Sequence, residues 1–270
     1  FNFAQNVNGL DLNAANVWAN ANMISQLQYQ AYTIPRGQML VGTNGKLNPH
    51  ATLGYSYMAN NGTEYYITPD DWKDLAYRTG FRQEYNMSVT GGTDKASYYA
   101  SINYLNDEGY IQYSGYDRIS ARAKADYQAN RWLKVGANAS FIHSKTETNA
   151  NMGTSANSTN LMYYTSGIAP IYPAFVRVMK DGKPVIATDS RGHQAYDYGV
   201  SGQNYNGLTR PFLSTGNPLG SNRYNEVFTW GNQFNGTFTA DLTFTDYLKG
   251  NITSNVVLGQ TTNSDYENPF

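Results

Sequence analysis

Gln233-Phe234-Asn235-Gly236-Thr237-Phe238-Thr239-Ala240-Asp241-Leu242-Thr243-Phe244-Thr245 alternates without a break. Phe234, Gly236, Phe238, Ala240, Leu242 and Phe244 take one side; Gln233, Asn235, Asp241 and the threonines take the other. Successive side chains of a β-strand point to opposite faces, so this run is a strand with one dry and one wet face. Residues 118–128 repeat the split, with Ile119, Ala121, Ala123, Ala125 and Tyr127 against Arg118, Ser120, Arg122, Lys124 and Asp126. Residues 133–145 do so again until Ile142 and His143 break the pattern.

Extending this pattern predicts strands at 84–91, 97–106, 116–128, 133–146, 232–245 and 249–261. Strands of soluble proteins average about 5 to 6 residues, whereas a tilted strand crossing a bilayer needs roughly 9 to 11. The connections alternate between tight turns near 92–95, 129–132 and 246–248 and longer links at 107–115 and 147–231. Short periplasmic turns opposite long extracellular loops are the arrangement of outer-membrane barrels. Tyr98, Tyr127, Trp132, Phe244 and Tyr247 lie beside the short turns, and Tyr104, Tyr110, Tyr113 and Tyr116 beside the first long link, as interfacial aromatics do. The expected fold is therefore all-β, part of a large antiparallel transmembrane β-barrel. Residues 1–80 are expected to be mostly irregular, with a short helix near 70–78 capped by Asp70, and 147–231 to form one long extracellular loop.

Composition narrows the alternatives. With 40% hydrophobic and 14% charged residues the chain is polar, and no run approaches the roughly 20 apolar residues of a spanning helix. The absence of Cys excludes disulfide and thiolate-metal frameworks. A net charge of -1 provides no basic field, so nucleic acid is not an expected partner. His50, His143 and His193 lack metal-ligand spacing, and the pairs Asp70-Asp71 and Asp107-Glu108 read as solvated turn residues, so neither an enzyme nor a metal or other cofactor site is expected. Phe1 is not a start, and 1–9 lacks the regions of a signal peptide. Pro269 before the aromatic Phe270 reads as an interruption within a loop. Six strands are too few to close a barrel, whose smallest members have about eight, so the chain reads as a piece of a longer one.

Residues 81–95, Phe-Arg-Gln-Glu-Tyr-Asn-Met-Ser-Val-Thr-Gly-Gly-Thr-Asp-Lys, continue through Tyr98-Tyr99-Ala100-Ser101 to Tyr104-Leu105-Asn106-Asp107-Glu108-Gly109-Tyr110-Ile111. With Ser114-Gly115-Tyr116-Asp117-Arg118, Asn130-Arg131-Trp132-Leu133-Lys134-Val135-Gly136 and Asp71-Trp72, these residues resemble the SusC/RagA family of TonB-dependent outer-membrane transporters. The resemblance is dense over 70–145 and weak before 60 and across 147–231. It implies a barrel of about 22 strands, a plug domain not contained in this chain, and a SusD-like lipoprotein partner. It also implies TonB acting through the plug, and import of an oligosaccharide or oligopeptide at the outer membrane of a Gram-negative bacterium, typically a member of the Bacteroidetes.

If the dry faces meet lipid, Arg118, Arg122, Lys124 and Asp126 point into the lumen, placed to hold the plug by charge pairs. The alternative is a soluble barrel with an Ala-rich core; Ala fills such a core poorly but is acceptable toward lipid. Tyr163, Tyr164, Tyr172, Tyr196, Tyr198 and Tyr205, among Gly, Asn and Ser in the 147–231 link, are the ligand-binding candidates, because aromatic faces beside amides suit sugar rings or peptide backbones. The same residues would also suit a loop packed on itself or on the lipoprotein. A non-transporting surface β-protein, an adhesin or glycan-binding module, is the second functional class that this pattern admits.

Overall fold

The computed structural model describes residues 5, 9–148, 160–200, 206–214 and 216–267; Phe1, Tyr205, Pro269 and Phe270 lie outside them. In chain order the elements begin with α1 (Leu12–Leu27), β1 (Tyr32–Thr33), β2 (Thr52–Leu53), β3 (Tyr55–Met58), β4 (Glu64–Ile67) and α2 (Trp72–Ala76). Next come β5 (Arg82–Gly92), β6 (Ala96–Glu108), β7 (Gly115–Gln128), β8 (Leu133–Thr148) and α3 (Leu161–Gly167). The chain continues with β9 (Arg177–Lys180), β10 (Lys183–Ile186), α4 (Pro218–Tyr224), β11 (Glu226–Thr243) and β12 (Lys249–Tyr266). They form two compact units, one of Phe1–Ala76 with Asn151–Ser221, the other of Tyr77–Ala150 with Asn222–Phe270.

The second unit is a six-stranded sheet in the order β12-β11-β8-β7-β6-β5, every neighbouring pair antiparallel. Directly opposed residues share a face, so register extends each strand's alternation across the whole sheet. One row runs Val89, Ala100, Ala123, Ala139, Gly236, Val256; its counterpart on the other face runs Asn86, Asn103, Ser120, Ile142, Gln233, Gly259. The apolar face is bare of protein, with Met87 73% and Phe238 61% exposed. A soluble fold would cover such a surface.

The register also gives the slant of the strands. A line across the sheet from Gly92 passes Ser97, Asp126, Gly136, Thr239 and Thr253, yet β11 continues to Thr243 and β12 begins at Lys249, each four residues beyond the line. Four residues of about 3.3 Å against five strand spacings of about 4.8 Å give a tilt of about 30° between the strands and the normal to the line of short turns. The upper limit of the apolar face descends in the same direction. Its continuous apolar rows end at Tyr104 and Ile119 in one row, then at Phe141, Phe234 and Leu258 in the row below, with the aromatic Trp230 and Phe228 farther up the same face beyond Asn232. The interruption at Ile142 and His143 is that limit: His143 faces outward above the band, its Nδ1 2.7 Å from Asn232 Oδ1. From Leu133 to Phe141 the band measures about 26 Å along β8 and about 23 Å after tilt, close to the roughly 25 Å apolar belt of membrane barrels.

In the first unit the segments expected to be irregular or loop instead carry helices, strands and a core of their own. Asp11 caps α1 by accepting from the Ala14 N–H at 2.8 Å. The buried Asn20 amide pairs with Val41 as another peptide group would, donating to its carbonyl and accepting from its N–H, both at 2.9 Å. A four-stranded sheet, β10-β9-β4-β3, joins the two chain segments where Tyr65 opposes Val178. Tyr29, Ala31, Ile67 and Tyr172 form one core cluster, and Tyr65, Val176 and Ala195 another. The helix expected near 70–78 is α2, and its cap is not Asp70. Asp71 accepts from the N–H groups of Lys73 and Asp74, while Asp70 is held by Arg177 at 2.9 and 2.5 Å.

Candidate functional site

Arg118, Arg122, Lys124 and Asp126 all lie on the polar face of the six-stranded sheet, because β7 presents every second residue to it. Asn103 organises the upper part of this face. Its amide donates to Glu84 Oε1 at 2.8 Å and to Asn86 Oδ1 at 2.5 Å, and its carbonyl accepts from Arg118 Nη2 at 3.1 Å. Arg118 is also 3.8 Å from Glu84, and Arg82 reaches both Glu84 and Asp107. Lower down, Arg122 donates to Asn138 at 3.0 Å, and Lys124 pairs with Asp126 at 3.1 Å. Gly136 makes room for this: a Cβ there would lie 2.8 Å from Asp126 Oδ1 and 2.5 Å from Thr239 Oγ1. These pairs are open to solvent, where ion pairs add about 0 to 1 kcal/mol, so they orient the charged side chains of this face more than they stabilise the sheet.

The candidate tyrosines have a different environment. Tyr164, Tyr172 and Tyr196 are buried, Tyr198 is half-buried and Tyr163 is exposed; Tyr205 lies outside the described residues. Tyr164 packs 4.9 Å from the Trp72 ring, and Tyr172 meets Tyr29 edge-on at 5.1 Å. Tyr196 lies 4.9 Å from Phe175. The three rings are therefore core of the first unit, and of the five described tyrosines Tyr163 presents the most surface to a ligand. A Tyr can fill a core while its hydroxyl reaches a carbonyl, and Tyr172 Oη does so by donating to Leu27 O at 3.3 Å.

The centre of this core is ionic. Arg210 and Asp197 are both fully buried and 3.2 Å apart. Asp197 accepts from the Tyr29 hydroxyl at 2.9 Å and from the Asn206 amide at 3.2 Å. Arg210 donates to the carbonyls of Asp197, Tyr198 and Gly216 at 2.9, 2.7 and 2.8 Å. Its guanidinium lies 5.7 Å from the Tyr164 ring and 5.9 Å from Trp72. Burial, reinforced by Asp197, raises the Tyr29 phenol far above its ordinary range; burial likewise raises Tyr57 and Tyr164.

A cleft of about 480 Å³ opens beside α2, walled by Pro69, Ile168 and Pro170 and edged by Asp71, Lys73 and Ser166. None of the candidate tyrosines lines it, and no periodic pattern announced it, because its walls come from two loops a hundred residues apart. Among the described residues no group of three or more His, Cys, Asp or Glu is placed to hold a metal ion. Among the described residues no helix is long and apolar enough to cross a membrane.

No family model matches the chain. Among curated proteins it is 30% identical over 66 residues to TonB-dependent receptor P39 of Formosa agariphila, and 30% identical over 76 residues to TonB-dependent receptor SusC of Bacteroides thetaiotaomicron. Among solved structures it superposes on the RagAB peptide importer in its closed-closed state with a TM-score of 0.53 at 22% identity. Sequence and fold both match SusC/RagA-type TonB-dependent transporters. The SusC/RagA-type match covers 74% of this chain and 20% of that solved chain, and a second RagAB structure gives 73% and 20% with the same TM-score. The curated alignments cover 24% and 28% of this chain but only 6% and 8% of those receptors, so the chain spans a small part of its SusC/RagA-type relatives. At this identity the structural likeness speaks for the fold alone: a largely antiparallel β architecture similar to part of the RagAB importer.

Proposed function

We propose that the chain is a segment of the barrel of a TonB-dependent outer-membrane importer that works with a SusD-like surface lipoprotein. The observation that carries this reading is the register-matched, slanted apolar band on one face of the sheet, opposite a charged face on the other. A band of this height meets hydrocarbon, the opposite face lines the lumen, and Arg118, Arg122, Lys124 and Asp126 then face the plug. The short turns are periplasmic, and the long links between strands are extracellular. The transported nutrient is an oligosaccharide or an oligopeptide; the RagAB neighbours are named as a peptide importer, while the aligned receptors carry no substrate in their names.

The test is the denatured mass of the source polypeptide in detergent-solubilised outer membranes, with identification of co-purifying proteins. A polypeptide several times the 30.0 kDa of this chain, accompanied by a lipoprotein, is the expected result. A water-soluble polypeptide near 30.0 kDa that binds glycan without a partner would replace importer with adhesin or glycan-binding module.

A further inference from the structure

The cleft beside α2 is walled by the first unit alone, with 69–73 on one side and 165–170 on the other. Several of its polar groups are already engaged. Asp70 is held by Arg177 and by the N–H groups of Ala174 and Phe175, the Thr165 hydroxyl donates to Leu161 O at 2.9 Å, and the Trp72 indole N–H donates to Tyr172 O at 2.9 Å. Three groups are not. Asp71 caps α2 through Oδ1 and leaves Oδ2 unbonded, and among the described residues neither the Lys73 ammonium nor the Ser166 hydroxyl has a partner.

The cleft therefore offers an anion, a cation and a hydroxyl beside walls of Pro69, Ile168 and Pro170. An occupant that uses all of them carries a positive group, a negative group and an aliphatic body, which describes a zwitterion with an apolar side chain. The volume of about 480 Å³ is that of a site for one small ligand. An oligosaccharide fits this lining poorly. Sugar rings suit aromatic faces beside amides, yet no Asn or Gln lines the cleft, and the Trp72 ring is buried with Tyr164 4.9 Å away.

We infer that the cleft beside α2 binds a di- or tripeptide with free ends, its ammonium on Asp71, its carboxylate on Lys73 and Ser166, and an aliphatic side chain between Pro69, Ile168 and Pro170. The inference does not depend on the importer reading, because every wall of the cleft belongs to the first unit. Both ion pairs lie at an open mouth, so each adds modestly to affinity and its main effect is to select charged peptide ends.

The test is equilibrium dialysis of tritiated Ala-Leu-Ala against the full-length protein in detergent, beside the same peptide with its carboxyl end amidated, the same peptide with its amino end acetylated, and maltotriose. Each blocked peptide should bind about fivefold more weakly than the free one, the upper end for a solvent-exposed ion pair. Lys73→Glu places an acid in the first turn of α2, where the helix tolerates it, and should reverse the preference so that the amidated peptide binds better than the free one. Asp71→Asn keeps the cap and should make binding indifferent to acetylation. Ser166→Trp, at an exposed position of α3, should abolish binding by filling the cleft. Binding that ignores the blocking groups, a preference unchanged in Lys73→Glu, peptide displaced by maltotriose, or no saturable binding of any probe overturns the inference. None of these outcomes touches the importer reading, whose failure would be absence of the polypeptide from the outer membrane.

Discussion

Arg210 Nη1 lies 3.2 Å from Asp197 Oδ1, and neither side chain retains any contact with solvent. Removing one partner of a buried pair leaves an uncompensated charge, a loss of about 3 to 5 kcal/mol. Asp197→Ala is therefore expected to unfold the first unit selectively, read as new protease sensitivity within 9–76 and 160–200 while the sheet of β5 to β12 stays protected. Asp197→Asn keeps the acceptor for Tyr29 and should have a smaller effect.

Gly199 provides a second probe of the same centre. Its φ is +65°, and an added Cβ would lie 2.5 Å from the Arg210 guanidinium carbon. Gly207 has a similar φ of +71° but nothing within 4 Å. Gly207→Ala should lose only the backbone term, about 1 to 2 kcal/mol, whereas Gly199→Ala also displaces Arg210 and should lose clearly more in thermal unfolding.

Val256 and Asn255 are neighbours in sequence on opposite faces of β12. Arg at the bilayer midplane of a barrel's lipid face destabilises by about 2 to 4 kcal/mol. Val256→Arg should reduce insertion of the full-length protein into outer membranes, and Asn255→Arg should not. Equal effects of the two substitutions would remove lipid from the apolar face.

Alkali should act on the first unit through its phenols. Tyr29, Tyr57 and Tyr164 have pKa values raised above the ordinary 10.0, chiefly by burial. A group whose folded pKa is raised contributes stability that is fully present below its unfolded value. Above pH 10.0 the unfolded chain releases these protons while the folded one keeps them, so stability falls as pH rises further. Tyrosinate absorbance should show the exposed phenols ionising first and the buried ones appearing later, together with loss of the first unit's near-ultraviolet dichroism.

The sheet was legible in the sequence because its instruction is local: every second residue of β7 or β11 declares its face, and the break at Ile142 and His143 marks where the band stops. The first unit was not, because its instruction is distant. Tyr29 meets Asp197 across 168 positions and Asp70 meets Arg177 across 107, with no period to betray either pair. The same distance hid the burial of Tyr164 and Tyr172, whose aromatic faces among Gly, Asn and Ser let them read as ligand contacts. Asp70 and Asp71 look equally suited to cap α2 in a linear text, and only Arg177 tells them apart.

The slip between strands restricts how such a sheet can change over time. Deleting one residue from the middle of β8 would exchange the side chains of the apolar and polar faces along half the strand. Deleting two would preserve the faces yet shift the short turn by about 7 Å along the strand. Length changes in the strands of this sheet are thus confined to pairs matched by their neighbours, while the links between them, each free of both conditions, remain open to insertion and to the growth of units such as the first.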